Sequence, residues 1–340
     1  MCVGSKLAVV ITTINSVTPG VMSISEGMEG TGGRLFVVCD RKTPIGLSVG
    51  SAVVLSYADQ LQSRFATAGA VLPDSYARKM LGYLAAFEQG YTSIRETDDD
   101  NIPYESFFET PANRMTVRVA PPNKWVNPYA FFSNQFIWPR GFPLNQVRDS
   151  FEQVNLEEVS ISQPILLQSL ADGDPDVDAV YRLTSPHVSP VTFEQLKPLL
   201  IPFGSWAPFN SQVTTWPREL YPLMYLPSTC SFRMTDIWRS FITLRIMREI
   251  GAHLVFSRSS VFQDRNSHDL FEDFRAELEG YVGYQRFVDV LDAIPDESIR
   301  TTSDGLRSAY VALIEEDFFD KSELHILDCW LQDLKLIGVI

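Results

Sequence analysis

The stretch “SIRETDDDN” (residues 93–101) decides how the rest of the chain is interpreted. It begins as an extended segment and ends in three consecutive carboxylates, those of Asp98, Asp99 and Asp100. Adjacent like charges repel, so three of them together destabilise a fold unless a cation joins them. Mg²⁺ and Mn²⁺ prefer oxygen ligands and are often held by one or two carboxylates plus substrate phosphates. The sequence therefore predicts either a divalent-metal site here or a solvated acidic turn.

The elements around this stretch follow the alternation of a parallel α/β sheet. Continuous runs of apolar and β-branched residues at 7–15 and 34–40 predict strands that are covered on both faces, and each run ends in polar residues. Residues 74–90 predict a helix that leads into the strand ending at Asp98, which makes a βαβ unit. In open α/β sheets, ligands bind at the carboxyl ends of the strands, where these polar residues are expected.

The remainder of the chain is predicted more coarsely. Residues 51–57 suit either a strand or a helix start, and residues 121–145 are too aromatic for a linker and predict an ordered loop. Residues 172–178 are interpreted as a turn into a strand, and residues 176–183 as a short strand candidate. Residues 236–250 predict a helix, and residues 269–337 predict several amphipathic helices.

Composition excludes several classes of protein. The 340 residues carry a formal net charge of −14, the wrong sign for a chain that neutralises a nucleic-acid backbone. The four cysteines are scattered and form no CxxC pair, so we expect thiols and no disulfide framework. The sequence contains no apolar run of about 18 residues, so no transmembrane span is predicted. The N-terminus does not resemble a signal peptide. We therefore expect a cytoplasmic protein or an excised soluble domain.

Four further residues have both a functional and an ordinary interpretation. Arg78 and Lys79 fall in the first turn of the helix over 74–90, where cations oppose the helix dipole unless an anion binds there. They are otherwise two exposed bases. Asp236 begins the second clear helix, where an acid either complements the dipole or acts as a general base. His268 is a surface histidine or a late metal ligand.

Nine segments, in chain order, resemble the STELLO-type glycosyltransferase family over about residues 7–275. They are “VVITTIN”, “VVCDRKTP”, “YARKMLGYLAAFEQG”, “ETDDDN”, “WPRGFPL”, “DGDPDVDAVYRL”, “FNSQ”, “SFRMTDIWRSF” and “RNSHDLFEDF”. The “RGFPL”, “DVDAV” and “TDIW” segments are more distantly similar to UDP-arabinopyranose mutases, also called reversibly glycosylated polypeptides. Both relatives imply a GT-A-type, Rossmann-like fold with a mixed, mostly parallel sheet flanked by helices.

The resemblance also implies a domain organisation. We expect a GT-A-like catalytic domain over 1–275, with a nucleotide-sugar half over about 1–120 and an acceptor half over about 121–275. Residues 276–340 would form a C-terminal helical extension, in which no segment matches a known motif. The plant members are Golgi proteins associated with cellulose synthase, and neither property is expected to carry over.

The resemblance assigns a role to each matching residue. The “DDD” triplet resembles the family's DxD motif, so Asp100 would hold Mn²⁺ or Mg²⁺ and Asp98 would hold the metal or the ribose, with His268 as a third metal ligand. Asp236 would be the general base for the acceptor. Arg140 matches the arginine that becomes glycosylated in the mutases, although gripping phosphate or sugar is its plainer role. The nucleotide-binding set would be Thr12, Thr13, Asn15, Asp40, Arg78, Lys79, Asp98 and Asp99.

The function expected from this resemblance is a metal-dependent hexosyl- or pentosyltransferase. It would move a sugar from a nucleoside-diphosphate sugar, a UDP-sugar, to a carbohydrate or glycoconjugate acceptor. The alternatives are a UDP-sugar mutase, which needs no acceptor, and a non-catalytic GT-A-like scaffold that binds partners through residues 121–145. Six aromatic residues suit either sugar stacking or core packing: Trp125, Tyr129, Phe131, Trp138, Trp206 and Trp216.

Overall fold

A single mixed sheet organises the chain. The structure is a computed structural model that describes residues 6–148, 156–185, 190–266 and 269–340. The strands in these ranges are β1 (Leu7–Thr13), β2 (Arg34–Cys39), β3 (Val53–Leu55), β4 (Ser93–Asp98), β5 (Asn101–Pro103), β6 (Arg114–Val119), β7 (Glu158–Ser162), β8 (Ile165–Gly173), β9 (Leu199–Leu200), β10 (Val213–Pro217) and β11 (His253–Gln263). The α-helices are α1 (Pro19–Met28), α2 (Tyr57–Leu61), α3 (Ala66–Ala70), α4 (Lys79–Glu88), α5 (Ala179–Thr184), α6 (Thr235–Ile250), α7 (Leu270–Asp292), α8 (Thr302–Glu315) and α9 (Glu323–Leu336).

The strand order explains where the sheet is parallel. Along the sheet the order is β3-β2-β1-β4-β10-β8-β11-β9-β6-β7, and β5 pairs with β11. The strands β3, β2, β1 and β4 are mutually parallel, whereas β10 runs antiparallel between β4 and β8. The three longest ladders, β8–β11, β1–β2 and β1–β4, are all parallel. The predicted mixed, mostly parallel α/β sheet flanked by helices is confirmed.

Helices cover both faces of the first strands, as their continuous apolar sequence predicted. Successive side chains of a strand point to opposite faces. Val10 of β1 accordingly belongs to the core cluster that contains the buried residues of α4. Val9 and Ile11 belong to the opposite cluster, with Val21 and Ile24 of α1. Burial on both faces holds the carboxyl end of β1 in a defined place beside those of β2 and β4.

Most of the predicted elements are present, and the prediction of one strand is wrong. The segment 51–57 contains both β3 and the start of α2, and the long C-terminal segment forms α7, α8 and α9. The segment 176–183 is not a strand, because it forms a turn followed by α5. The carboxylate of Asp178 accepts a hydrogen bond from the backbone N–H of Tyr181 at 2.7 Å, which caps the helix where a strand was expected.

The C-terminal helices pack into the same core as the sheet. Residue 276, the expected start of the extension, lies within α7. In α9, Asp333 accepts hydrogen bonds from the backbone N–H groups of Ala66 and Thr67 at 2.9 and 2.8 Å, so it caps α3 in the first half of the chain. The division into a catalytic domain and an extension stays a prediction.

The aromatic segment 121–145 is an ordered loop with short 3₁₀ turns, as expected. The six aromatic residues that suited either sugar stacking or packing are all buried in the core: Trp125, Tyr129, Phe131, Trp138, Trp206 and Trp216. Core packing therefore accounts for them.

Two expectations about the chain as a whole concern its cysteines and membrane spans. Cys39, Cys230 and Cys329 are free thiols, and Cys2 lies outside the described residues. Within the described ranges, no helix combines the length and the apolarity needed to cross a bilayer.

Candidate functional site

A cavity of about 550 Å³ lies at the carboxyl ends of β1, β2 and β4. Parallel strands bring residues that are far apart in sequence to one edge of the sheet, which is why the predicted residues meet here. Ten of them line the cavity: Thr12, Thr13, Asn15, Asp40, Arg78, Asp98, Asp99, Asp100, Arg140 and Asp236. Lys79 is not in its walls. His268 lies outside the described residues, so its predicted role as a metal ligand has no structural description.

The three carboxylates of the acidic triplet have different partners. Asp99 turns back towards the end of β1, where its Oδ2 accepts hydrogen bonds from Thr13 Oγ1 at 2.6 Å and Asn15 Nδ2 at 3.0 Å. Its backbone carbonyl accepts another from Thr18 Oγ1. This network ties the triplet to the first strand, so the polar side chains of Thr13 and Asn15 are engaged in positioning Asp99.

Lys79 lies behind Asp98, away from the cavity. Its side chain is fully buried, and its ammonium donates to Tyr76 Oη and to the carbonyl of Thr97, both at 2.7 Å, with Asp98 Oδ1 at 3.4 Å. The donors of Lys79 are thus directed at protein acceptors, and its predicted contact with phosphates stays a prediction. Burial raises the pKa of Asp98 to about 6, and the nearby ammonium of Lys79 partly offsets that rise.

Asp100 carries a buried carboxylate oxygen that has no hydrogen-bond partner among the described residues. Its Oδ2 accepts a hydrogen bond from Gln263 Nε2 at 3.2 Å, and the backbone N–H of Asn266 also interacts with this carboxyl, whereas its buried Oδ1 has no hydrogen-bond partner in the described ranges. Burial raises the pKa of this carboxyl. Buried polar atoms nearly always have a partner, so this carboxylate oxygen at the cavity wall is a candidate ligand for a bound cation.

The donor set suits a hard divalent cation. Asp98 and Asp100 supply carboxylate oxygens, which Mg²⁺ and Mn²⁺ prefer. Among residues that the structure describes, no three His, Cys, Asp or Glu side chains converge as a metal site. Two carboxylates would leave the remaining positions to water and to ligand phosphates, which is the usual arrangement for Mg²⁺.

Asp40 and Arg78 form the wall nearest β2. Asp40 Oδ2 accepts a hydrogen bond from the backbone N–H of Ser75 at 3.2 Å. Arg78 is buried, and it donates from Nε to Gln60 Oε1 at 2.7 Å and from Nη1 to the carbonyl of Val71 at 3.0 Å. Its Nη2 has no acceptor in the described ranges. Burial lowers the pKa of Arg78. It is therefore a buried cation whose Nη2 amino group is unused, and not an exposed base at a helix start.

Arg140 is clamped between two buried carboxylates. It donates to both oxygens of Asp176, from Nε at 2.9 Å and from Nη2 at 2.7 Å. It also donates to both oxygens of Asp236, from Nη1 at 3.0 Å and from Nη2 at 3.1 Å, and to the carbonyl of Arg233. These contacts occupy all five guanidinium N–H groups. In this arrangement Arg140 has no free donor for phosphate or sugar, and its predicted catalytic role stays a prediction.

Asp236 is held ionised in the cavity wall. Its Oδ2 also accepts hydrogen bonds from the backbone N–H of Ser211 at 3.1 Å and from Ser211 Oγ at 3.0 Å. Burial alone would raise the pKa of this carboxyl, but the guanidinium of Arg140 holds it below its usual range. Asp236 therefore offers a hydrogen-bond acceptor more readily than a strong base.

Sequence reasoning did not single out several residues that complete the walls. Asp176 was inside the “DVDAV” segment of the resemblance, which is the one signal that pointed to it. Tyr76 donates to Asp98 Oδ1 at 3.0 Å, and Phe232 packs edge to face against Tyr76 with ring centroids 5.6 Å apart. Phe232 is 61% exposed although it lines the cavity, so it offers an apolar surface to a ligand.

Comparison with known proteins agrees with the expected family. The family model for STELLO glycosyltransferases matches residues 233–340. Two curated Arabidopsis thaliana proteins, named probable glycosyltransferases STELLO2 and STELLO1, are each 26% identical to this chain over 325 residues. The resemblance to the STELLO glycosyltransferases is confirmed. The family match includes the C-terminal helices, for which the sequence had offered no motif.

The alignments cover a larger share of this chain than of either Arabidopsis relative. The alignments cover 90% of this chain but 42% of each Arabidopsis relative, so the chain spans less than half the length of the curated relatives it matches. Those relatives are named as probable enzymes, in line with the expectation that the chain resembles an enzyme family.

Solved structures with a similar course of the chain include glucosyl-3-phosphoglycerate synthase from Mycobacterium tuberculosis. Its complex with phosphoglyceric acid has a TM-score of 0.41 and 14% identity, and the match covers 87% of this chain and 82% of that one. Its complex with Mn²⁺, UDP-glucose and glycerol 3-phosphate has a TM-score of 0.40 and 15% identity, with 87% and 83% covered. Scores this low support no inference about the site.

Proposed function

We propose that this chain is a metal-dependent glycosyltransferase of GT-A type that uses a UDP-sugar as donor and a carbohydrate or glycoconjugate as acceptor. The observation that carries the proposal is the cavity at the strand ends, where the orphaned Oδ1 of Asp100 lies beside Asp98. The resemblance to the STELLO glycosyltransferases supports the transferase class.

The proposal divides the cavity into a nucleoside end and a metal end. Asp98 and Asp100 would hold Mn²⁺ or Mg²⁺, and the ion, when bound, would neutralise charge on the diphosphate leaving group. Asp40 and the unused Nη2 amino group of Arg78 would contact the nucleoside. Lys79 would keep Asp98 in place from behind, by the contacts described above.

Asp236 is the proposed contact for the acceptor hydroxyl. A general base works best with a pKa near the working pH, and the pKa of Asp236 is held low by Arg140. We therefore propose that Asp236 accepts the hydrogen bond of the acceptor hydroxyl and orients it, while Arg140 positions Asp236.

The two alternative functions gain less support from the geometry. A mutase that glycosylates its arginine needs a free, deprotonated guanidinium nitrogen, whereas Arg140 lies between two carboxylates that favour its charged form. A scaffold that binds through the aromatic loop needs accessible rings, whereas every aromatic ring of residues 121–145 except that of Phe136 is buried.

The test is turnover of the donor. A panel of UDP-sugars is incubated with the protein and Mn²⁺, or with chelator, and release of UDP is measured with and without sugar acceptors. The proposal expects metal-dependent UDP release that an acceptor accelerates. Interconversion of sugar ring forms without an acceptor would support a mutase instead, and absence of UDP release from every donor would contradict a transferase.

A further inference from the structure

A second cavity, also of about 550 Å³, adjoins the first one. The two cavities share Gln263, Arg265 and Asn266 in their walls. The second cavity is bounded by the turn that precedes α5, by α5 itself and by the end of β11. Arg265 therefore stands at the junction between the donor cavity and a separate space.

The walls of this second cavity contain three buried polar atoms that lack a partner. They are Tyr181 Oη, Arg182 Nε and Arg265 Nε, none of which has a hydrogen-bonding partner in the ranges that the structure describes. The side chains of Arg182 and Arg265 are only 10% and 9% exposed. A buried polar atom without a partner is rare, and three of them in one cavity indicate a ligand that hydrogen-bonds to all three.

Two arginines, Arg182 and Arg265, offer N–H groups to an anion in this cavity, although Asp174 and Asp264 line it as well. Arg182 and Arg265 lie near each other and near Arg233. Burial first, and then the repulsion from these two neighbouring guanidinium groups, lower the pKa of Arg265 to about 10. Asp174 pairs with Arg182, and Asp273 lies 3.3 Å from Arg265 Nη2, so each arginine has a carboxylate at its Nη end. The two Nε–H groups remain unused, and an anion that binds them would relieve the repulsion between the guanidinium groups.

We propose that the second cavity is the acceptor subsite and that it binds a phosphate group carried by the acceptor. A carboxylate is planar and is satisfied by one guanidinium, whereas donors from three separate side chains suit a tetrahedral dianion. The proposal rests on the proposed function. An acceptor held at Arg265 by its phosphate could present a hydroxyl to Asp236, because both residues line the first cavity.

The experiment is a calorimetric titration with inorganic phosphate in the presence of saturating UDP and Mg²⁺. UDP is titrated in the same preparation, so that failure of donor binding is seen separately. We expect phosphate to bind the UDP-loaded protein. Arg182→Gln should weaken phosphate binding by at least about tenfold, since it removes a charged donor, and should leave UDP affinity unchanged. Arg275→Gln is the matched control, because Arg275 is 73% exposed and pairs only on the surface with Glu272.

Two further variants keep the test valid if Arg182→Gln does not fold. Tyr181→Phe removes the unpartnered hydroxyl but keeps the ring that packs against Trp138, and Arg182→Lys keeps the charge without the Nε–H group. Both should weaken phosphate binding. The proposal is overturned if the wild-type protein does not bind phosphate while it binds UDP. It is also overturned if UDP displaces phosphate, because the arginines would then serve the donor diphosphate.

Discussion

Replacing Arg140 by glutamine should destabilise the protein strongly at neutral pH. Arg140 is 6% exposed, and its two carboxylate partners, Asp176 and Asp236, are 9% and 8% exposed. Removing the cation from such a cluster leaves two buried negative charges side by side without their shared counter-ion. Breaking a buried ion pair by removing one partner costs about 3–5 kcal/mol.

Both carboxylates keep other hydrogen bonds in the variant. The expected loss of unfolding free energy is therefore that of one broken ion pair and not of two. Asp176 would keep a hydrogen bond from Asn210 Nδ2 at 2.9 Å. Asp236 would keep its two hydrogen bonds from Ser211. We therefore expect the Arg140→Gln variant to lose about 3–5 kcal/mol of unfolding free energy at pH 7. The exposed Arg275→Gln variant should lose less than about 1 kcal/mol.

The pH dependence gives a second measure of the same interaction. In the wild-type protein Arg140 holds the pKa of Asp176 and of Asp236 low, so the stability it confers is present at neutral pH and is lost as the pH falls through those folded-state values. Without Arg140 the two carboxylates would take up protons at higher pH. The deficit of the variant should therefore shrink between pH 7 and pH 4.

Urea unfolding at several pH values measures both effects, and a double-mutant cycle with Asp176→Asn isolates the coupling. A variant that unfolds within about 1 kcal/mol of the wild-type protein at pH 7 would refute the reasoning, since it would show that the clamp is not a buried ion-pair cluster.

The remaining predictions concern packing and a buried acid. Gly82→Ala should destabilise by up to about 2 kcal/mol in urea unfolding, because the added Cβ would lie 2.6 Å from methyl groups of both Val10 and Val38; an equally stable variant would contradict this packing of α4 on the sheet. Burial raises the pKa of Asp178 to about 7, so its contribution to stability should grow by about 4 kcal/mol as the pH falls from above 7 to 4, and Asp178→Asn should abolish that slope. If Asp178→Asn keeps the wild-type dependence of stability on pH, while tryptophan fluorescence shows that the surroundings of Trp138 are unchanged, a group other than Asp178 is responsible for it.

The first half of the fold was predictable from the sequence because its signals are local. Continuous apolar runs marked β1 and β2, and the helical period marked α4. Polar residues at the strand ends placed the acidic triplet at the edge where the cavity lies. The rule that parallel strands present their carboxyl ends at one edge of the sheet was enough to predict that Asp40 and Asp100 lie there.

The rest depended on contacts between residues distant in sequence. Nothing in the local pattern indicated that Lys79 would be buried behind Asp98, or that Arg140 would be enclosed by Asp176 and Asp236 from two other segments. The error at 176–183 has a local cause, since a capping aspartate, Asp178, outweighed the apolar residues that suggested a strand. Tertiary hydrogen bonding decided the positions of Lys79 and Arg140.

The central claim is that the acidic triplet and a divalent ion together bind the donor nucleotide. The most direct measurement is calorimetric titration of UDP, with and without Mn²⁺, into the wild-type protein, Asp100→Ala and the surface control Asp289→Ala, which removes a 56%-exposed carboxylate. We predict tight UDP binding that requires Mn²⁺ in the wild-type and control proteins, and loss of the Mn²⁺ effect in Asp100→Ala with the fold intact by circular dichroism. UDP binding with the same Mn²⁺ dependence in Asp100→Ala would contradict the claim.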